Sequence, residues 1–251
     1  MTSRTHLIVN ADDLGYDPAV SAGILQAMRE GIVTSTTCMV NLPHSEEAAK
    51  AATGLAVGLH VNLARGRPLS TAIGPEQLDD EGHFDEAQAR GLSAAQVTTE
   101  TLAQLEELEG WLGRSVTHLD VHKHLHRHPS ILAGVARAAA SRGLPVRSLE
   151  AGMRAFLRAR GVATNDAFLG EAGTEAYWTL ARLREAFSHL PTSGVVELMC
   201  HPGHAPTTLQ SGYGAQREVE LETFLHPDAR QALDRSRATP ATFEVLKPRR
   251  V

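Results

Sequence analysis

Cysteine is nearly missing from this 251-residue chain: Cys38 and Cys200 are the two present, too few for a disulfide framework or a four-sulfur zinc site. That scarcity fits a reducing compartment, so a cytoplasmic location is expected. Aromatic residues make up only 4%, and no apolar run approaches the roughly 20 residues of a membrane-spanning helix. The amino terminus lacks the charged-then-apolar pattern of a leader, since Leu7-Ile8-Val9 is broken at once by Asn10 and two aspartates. Basic charge is short as well. Lys plus Arg total 24 against 29 Asp plus Glu, a formal charge of -5 rather than the surplus a phosphate backbone attracts. Neither nucleic acid nor membrane is an expected partner.

What the chain does contain is enough apolar material, 42% of residues, to fill a domain core. Apolar and β-branched runs at 7–11, 32–41, 55–63, 115–121, 145–149, 194–200 and 242–246 read as strands. Helices are expected from 18 to the stop at Gly31, then at 45–53, 93–112, 129–142, 174–190 and 217–237, the last interrupted by Pro227. Asp17-Pro18 caps the first of them, and the capping-box spacing from Ser93 to Gln96 starts the third. Residues 64–92 lack sustained periodicity and read as a long excursion, a lid or substrate loop. No repeat or linker divides the chain, so a single domain over 1–251 is expected. The alternation implies a parallel sheet with right-handed crossovers. It points to an α/β fold, a TIM-like (β/α) barrel, regular or irregular, with its chemistry at the carboxyl ends of the strands.

Those ends are where ionisable residues gather. Thirteen histidines are present and they cluster. One strand ends in Asp12-Asp13, another in His60, the one at 115–121 in the run from His118 to His128, and a late one in His201. Four such ends of parallel strands would converge on one point. Imidazole nitrogen and carboxylate oxygen suit Zn²⁺, Mn²⁺, Co²⁺ or Mg²⁺, and three protein ligands leave positions open for water and substrate. From His118 to His126 every histidine, and Asp120, falls at an even position, which is one face if the strand continues. Adjacent Asp12 and Asp13 would point oppositely in a strict strand, so both reach the site only if the chain turns, which Gly15 permits. We read Asp13 as the metal ligand and Asp12 as the general base, although the spacing alone allows the reverse. Taken singly, each feature has a plainer meaning. An aspartate after a strand is often a helix cap, a lone histidine a hydrogen-bonded core side chain, and His201-Pro202-Gly203 a turn.

Together the segments Asn10-Ala11-Asp12-Asp13-Leu14-Gly15, Gly31-Ile32-Val33-Thr34-Ser35-Thr36-Thr37, Gly58-Leu59-His60, Thr117-His118-Leu119-Asp120-Val121-His122-Lys123-His124 and Met199-Cys200-His201-Pro202-Gly203 resemble the YdjC-like carbohydrate deacetylases. The resemblance runs in order from residue 7 to 203, and Leu78 to Phe84 is similar to a further family segment. Leu14 departs from the pattern, where the family more often has an aromatic residue, and the last fifty residues match poorly. The resemblance implies a (β/α) barrel and one divalent metal, usually Mg²⁺, held by His60 and His122 with Asp13 as third ligand. It implies hydrolysis of N-acetyl groups on short N-acetylglucosamine-containing sugars, and a homodimer.

Amide hydrolysis needs an activated water, a stabilised oxyanion and a protonated leaving nitrogen. Accordingly Asp12 is read as base and His201 as acid. Arg147, ending the 145–149 strand, would hold Asp12 or the substrate, Asp120 would fix a histidine tautomer, and His124 would stand beside the site. Tyr16 and Tyr213 are candidates to stack on a sugar, whereas Trp111 and Trp178 sit at helical positions and read as core. Two rivals remain at this stage. A metal-dependent sugar isomerase or epimerase would lean on more glutamate ligands, and a non-catalytic sugar-binding protein would have no need of a base.

Overall fold

The first apolar run becomes the spine of the sheet. The computed structural model describes residues 4–209 and 211–247. Strand β1 (Thr5–Leu14) leads through α1 (Pro18–Glu30) to β2 (Ser35–Cys38), and α2 (Ser45–Ala51) leads to β3 (Val57–Val61). After the excursion, which contains the single-turn α3 (Glu86–Ala89), come α4 (Ala94–Leu112), β4 (Leu119–Val121), α5 (Pro129–Arg142) and α6 (Ala151–Arg158). The chain ends with β5 (Ala167–Leu169), α7 (Leu180–Ser188), β6 (Gly194–Cys200), α8 (Ala215–Leu225), α9 (Pro227–Ser236) and β7 (Thr239–Ala241).

The expected parallel α/β architecture is present, but among the described residues the sheet stays open and does not close into a barrel. The strands lie in the order β4-β3-β2-β1-β6-β5, all pairs parallel, as an open sheet. Strand β7 pairs with residues 6–8 of β1, ahead of the stretch that pairs with β2. The expected strand at 145–149 shrinks to an isolated bridge between Leu119 and Val146. Pro145 has no N–H to give, and the Ser148 N–H is captured at 2.7 Å by the Asn165 side chain, so no ladder can propagate there.

Burial follows the periodicities. Leu7, Val9 and Ala11 of β1 and Val20, Ile24 and Ala27 of α1 are buried, and each large aliphatic side chain so removed from water contributes about 1.5–3 kcal/mol. Asp17 caps α1 by accepting from Ala19 N at 2.8 Å. Helices α4 and α5 pack closely because Gly134 has no Cβ; one there would stand 2.5 Å from the Cβ of Val97.

Several element ends differ from expectation. The helix expected at 174–190 begins at Leu180, where the Thr179 side chain caps it. The expected strand at 242–246 is a 3-10 turn over Phe243–Leu246, and pairing is made by β7 just before it. Residues 217–237 split into α8 and α9 at Pro227. Helix α6 and β5 lie in residues 150–173, to which the sequence reading assigns no element, although Met153, Phe156 and Leu157 of α6 recur at helical spacing. Within 64–92, Ile73 and Phe84 are buried, and the buried Glu100 of α4 accepts from Leu69 N and Ser70 N at 3.0 and 2.8 Å. No helix among the described residues is long and apolar enough to cross a membrane.

Candidate metal centre

Strand β1 solves the problem of two adjacent aspartates by gaining a residue. Its register against β2 runs Ala11 to Thr36 and then Leu14 to Cys38, so Asp12 and Asp13 together lie opposite Thr37 alone. That is a β-bulge, and Asp13 within it adopts the left-handed region at φ 74°. The bulge, with Gly15 following at φ 86°, breaks the alternation that would have sent the two carboxylates to opposite faces. Aspartate is among the few side chains that tolerate this backbone, and such strain concentrates at functional sites.

Three donors from three strand ends then meet. Asp13 Oδ1 lies 3.2 Å from His60 Nε2 and 3.2 Å from His122 Nδ1, and the two nitrogens are 3.2 Å from each other. All three side chains are buried. Donors each about 2.1 Å from a shared ion stand roughly 3.0 Å apart at octahedral angles and roughly 3.4 Å apart at tetrahedral ones, so this triangle has the size a metal requires. Among the described residues Asp13 Oδ1 has no hydrogen-bond partner despite being buried, as befits an oxygen whose lone pairs serve a cation. Parallel register pairs His60 with Asp120, and His60 Nδ1 sits 2.6 Å from Asp120 Oδ1. Giving its Nδ1 proton to Asp120 leaves the Nε2 lone pair directed at the triangle. Thr37 donates to the other oxygen of Asp120 at 3.0 Å.

The charge of the surroundings also asks for a cation. Arg147 is fully buried; its Nη1 and Nη2 bind Asp12 at 2.6 and 2.7 Å, Nη1 also reaches Asp120 at 2.9 Å, and Nε reaches Glu197 at 2.6 Å. Arg217 Nη2 lies 2.5 Å from Asp13 Oδ2. Four buried carboxyl groups therefore face two buried guanidiniums, an excess of acidic groups that a divalent ion would offset. Without an ion, protons are drawn in. Burial disfavours charge on His60, but Asp120 and its neighbours pull its pKa up to about 10, and burial pushes Glu197 up to about 8 against the pull of Arg147. Burial opposes ionisation of Asp12 and Asp13 too, yet Arg147 and Arg217 respectively override it and hold both well below the usual carboxylate range.

A cleft of about 650 Å³ opens over the triad, within the range of small-ligand sites. Asp12, Asp13, His60, His122, His124 and His201 line it, as do Tyr16 and Tyr213. Asp120 and Arg147 lie behind this lining, so Arg147 grips Asp12 and is not placed to touch a ligand in the cleft. The single face expected for His118 to His126 does not form. Strand β4 stops at Val121, and Lys123 and His124 turn through left-handed conformations at φ 53° and 52°. His118 therefore stacks on Phe243 at 3.5 Å, and His126 is buried away from the cleft. Trp178 is buried and Trp111 packs on the core, as expected for both.

Three contributors carry no assigned role in the sequence. Glu197 is the one glutamate near a relevant strand end, a charge set in an apolar run, whereas Thr37 lies inside a strand like an ordinary core-facing residue. Arg217 lies on α8, beyond the last recognisable motif, where an arginine in an amphipathic helix reads as solvated surface. It is instead buried between Tyr16 and Tyr213, with ring centroids at 5.5 and 5.6 Å.

Known proteins share both the sequence and the fold. The family model for YdjC-like proteins matches residues 6–235. A carbohydrate deacetylase of Brevibacillus brevis is 34% identical over 254 residues, covering 96% of this chain and 99% of that protein. A chitooligosaccharide deacetylase of Serratia marcescens is 34% identical over 241 residues, covering 90% and 93%. Among solved structures, an Enterococcus faecalis protein whose name proposes cleavage of cellobiose-phosphate superposes with a TM-score of 0.88 at 27% identity, covering 98% of this chain and all of that one.

Proposed function

The chain belongs to the YdjC-like protein family, and from that premise we propose that it is a divalent-metal-dependent carbohydrate deacetylase, hydrolysing the N-acetyl group of N-acetylglucosamine-containing sugars. The observation that carries this reading is the 3.2 Å triangle of Asp13, His60 and His122 at the floor of the cleft, with Asp12 beside it. A divalent cation held by these ligands would supply Lewis acidity, polarising a carbonyl and lowering the pKa of water. Mg²⁺ is the family's usual ion, and the mixed nitrogen and oxygen donors also accept Zn²⁺, Mn²⁺ or Co²⁺.

The chain's own groups do the rest. Hydrolysis requires one proton to leave the attacking water and one to reach the departing nitrogen. Asp12 accepts the first; its two hydrogen bonds from Arg147 keep it ionised and fix its orientation. His201 delivers the second. Burial brings its pKa down to about 4, so the resting ring is neutral and takes up a proton from solvent before passing it to the nitrogen, while the carboxylates of Asp13 and Asp12 favour that protonated form. Tyr16 and Tyr213 offer aromatic edges and hydroxyls to a sugar ring.

Glycosidic cleavage is less well served. It relies on a carboxylic acid whose pKa is raised, whereas Asp12 and Asp13 are pushed down and Glu197, which is pushed up, lies behind the cleft lining. Metal-stripped protein resupplied with Mg²⁺, Zn²⁺, Mn²⁺ or Co²⁺ and given N-acetylglucosamine oligomers should release acetate and a sugar with a free amine. Shorter sugars with their acetyl groups intact, or an isomer of unchanged mass, would overturn the proposal.

A further inference from the structure

Helix α8 touches both halves of the site. Arg217 and Glu220 stand three residues apart, on one face of the helix. From there Arg217 Nη2 holds Asp13 Oδ2 at 2.5 Å. Glu220 Oε2 accepts the backbone N–H of His201 at 2.6 Å, and its Oε1 accepts the Tyr213 hydroxyl at 3.0 Å and Trp178 N at 3.3 Å. The Arg217 carbonyl also accepts Gly203 N at 3.1 Å, tying the loop after His201 to the same turn of helix. Tyr213 completes the link, its ring edge-on to His201 at 5.4 Å and its hydroxyl on Glu220. Arg217 is 3% exposed and Glu220 is fully buried, so neither is a surface residue making an incidental pair.

We infer that α8 is the positioning element of the centre, Arg217 setting the metal-ligating carboxylate of Asp13 and Glu220 setting His201 at the opposite side of the cleft. Asp13 needs such an anchor because its backbone is strained and its ligating Oδ1 has no other partner; a carboxylate gripped at Oδ2 presents Oδ1 in one direction. His201 follows the end of β6 in a loop without regular structure, so its ring depends on where the loop backbone is pinned. A neutral glutamine at 220 could not serve. One of its two faces would be an NH2 group turned toward N–H or O–H donors that now have acceptors.

The inference rests on the deacetylase reading for the role of His201 but not for the role of Arg217. Metal affinity of the substrate-free protein, measured by equilibrium dialysis against Zn²⁺ and Mn²⁺, reads Arg217 alone. Arg217→Gln should weaken binding about 10- to 100-fold, the effect typical of removing a group that orients a ligand, and Arg217→Lys should recover part of it. Glu220→Gln should leave metal affinity within about twofold but lower kcat on an N-acetylated sugar by roughly tenfold or more, with KM little changed. On para-nitrophenyl acetate, whose phenolate departs without a proton, the same variant should retain near wild-type turnover. Unaltered metal affinity in both Arg217 variants would overturn the first half. The second half falls if Glu220→Gln weakens metal binding as much as Arg217→Gln does, or if it slows amide and aryl ester alike. A protein that binds metal as described yet releases no acetate would instead defeat the deacetylase reading and leave Arg217's role standing.

Discussion

Asp12 and Asp13 are neighbours in the chain with opposite partners, Arg147 for one and Arg217 for the other, and that difference should separate their variants. Asp12→Asn is expected to lower kcat on the order of 10²-fold or more while metal binding by dialysis stays near wild type, because the base is lost and the triad is not. Asp13→Asn should show the reverse priority, with metal affinity failing first. Gly58 makes a different kind of demand. A Cβ there would stand 2.4 Å from the His118 ring and 2.8 Å from a backbone oxygen, so Gly58→Ala should cost about 1–3 kcal/mol in a urea melt. Much of the centre was legible residue by residue: aspartate and histidine at the ends of apolar runs are the donors a metal needs. Arg217 was not, since its meaning depends on a contact with a residue 204 positions away.

Between elements, the joint that matters most runs from α1 to the loop carrying His201. Asp17 both caps α1 and, through Oδ2, accepts Thr207 N, Thr208 N and the Thr208 hydroxyl at 3.0, 2.8 and 2.7 Å. Gly23 allows the same loop to approach, for a Cβ there would lie 2.6 Å from Gly203 Cα and 2.8 Å from His204 N. Asp17→Ala should cost about 1–2 kcal/mol for the lost cap. Its pH dependence follows from sign. Burial opposes ionisation of Asp17, but the bonds from Thr208, Ala19 and Thr207 hold its pKa below the ordinary value. A carboxylate with a lowered folded-state pKa stabilises fully above its unfolded pKa of about 3.9 and loses that contribution as pH falls through the lower folded value. The gap between wild type and Asp17→Ala should therefore be constant from about pH 5 to 8 and narrow in acid. Sequence periodicity found the cap of α1 and most strands, but not the failure of the run at 145–149. A single proline and a side-chain acceptor from Asn165 decide that, and neither shows in a hydrophobic pattern.

For the molecule as a whole, a centre with more buried carboxyls than guanidiniums should make stability depend on a cation. Adding metal at about 100 times its dissociation constant should raise the unfolding free energy by ~2.7 kcal/mol, visible as a chelator-reversible rise in melting temperature. A melting temperature indifferent to chelator and to added ion would show that the triad holds none. The order of residues was sufficient to announce an alternating α/β chain with acids and imidazoles at strand ends, because alternation, helix period and capping are properties of neighbouring residues. His60 and His122 were singled out by the family resemblance and not by local pattern, and the order of residues was not sufficient to close or open the sheet, to seat two adjacent aspartates at one site, or to bring α8 against Asp13. Those outcomes depend on strand register, on one bulged residue in β1 and on packing between segments far apart in the chain, and local patterns carry no record of such contacts.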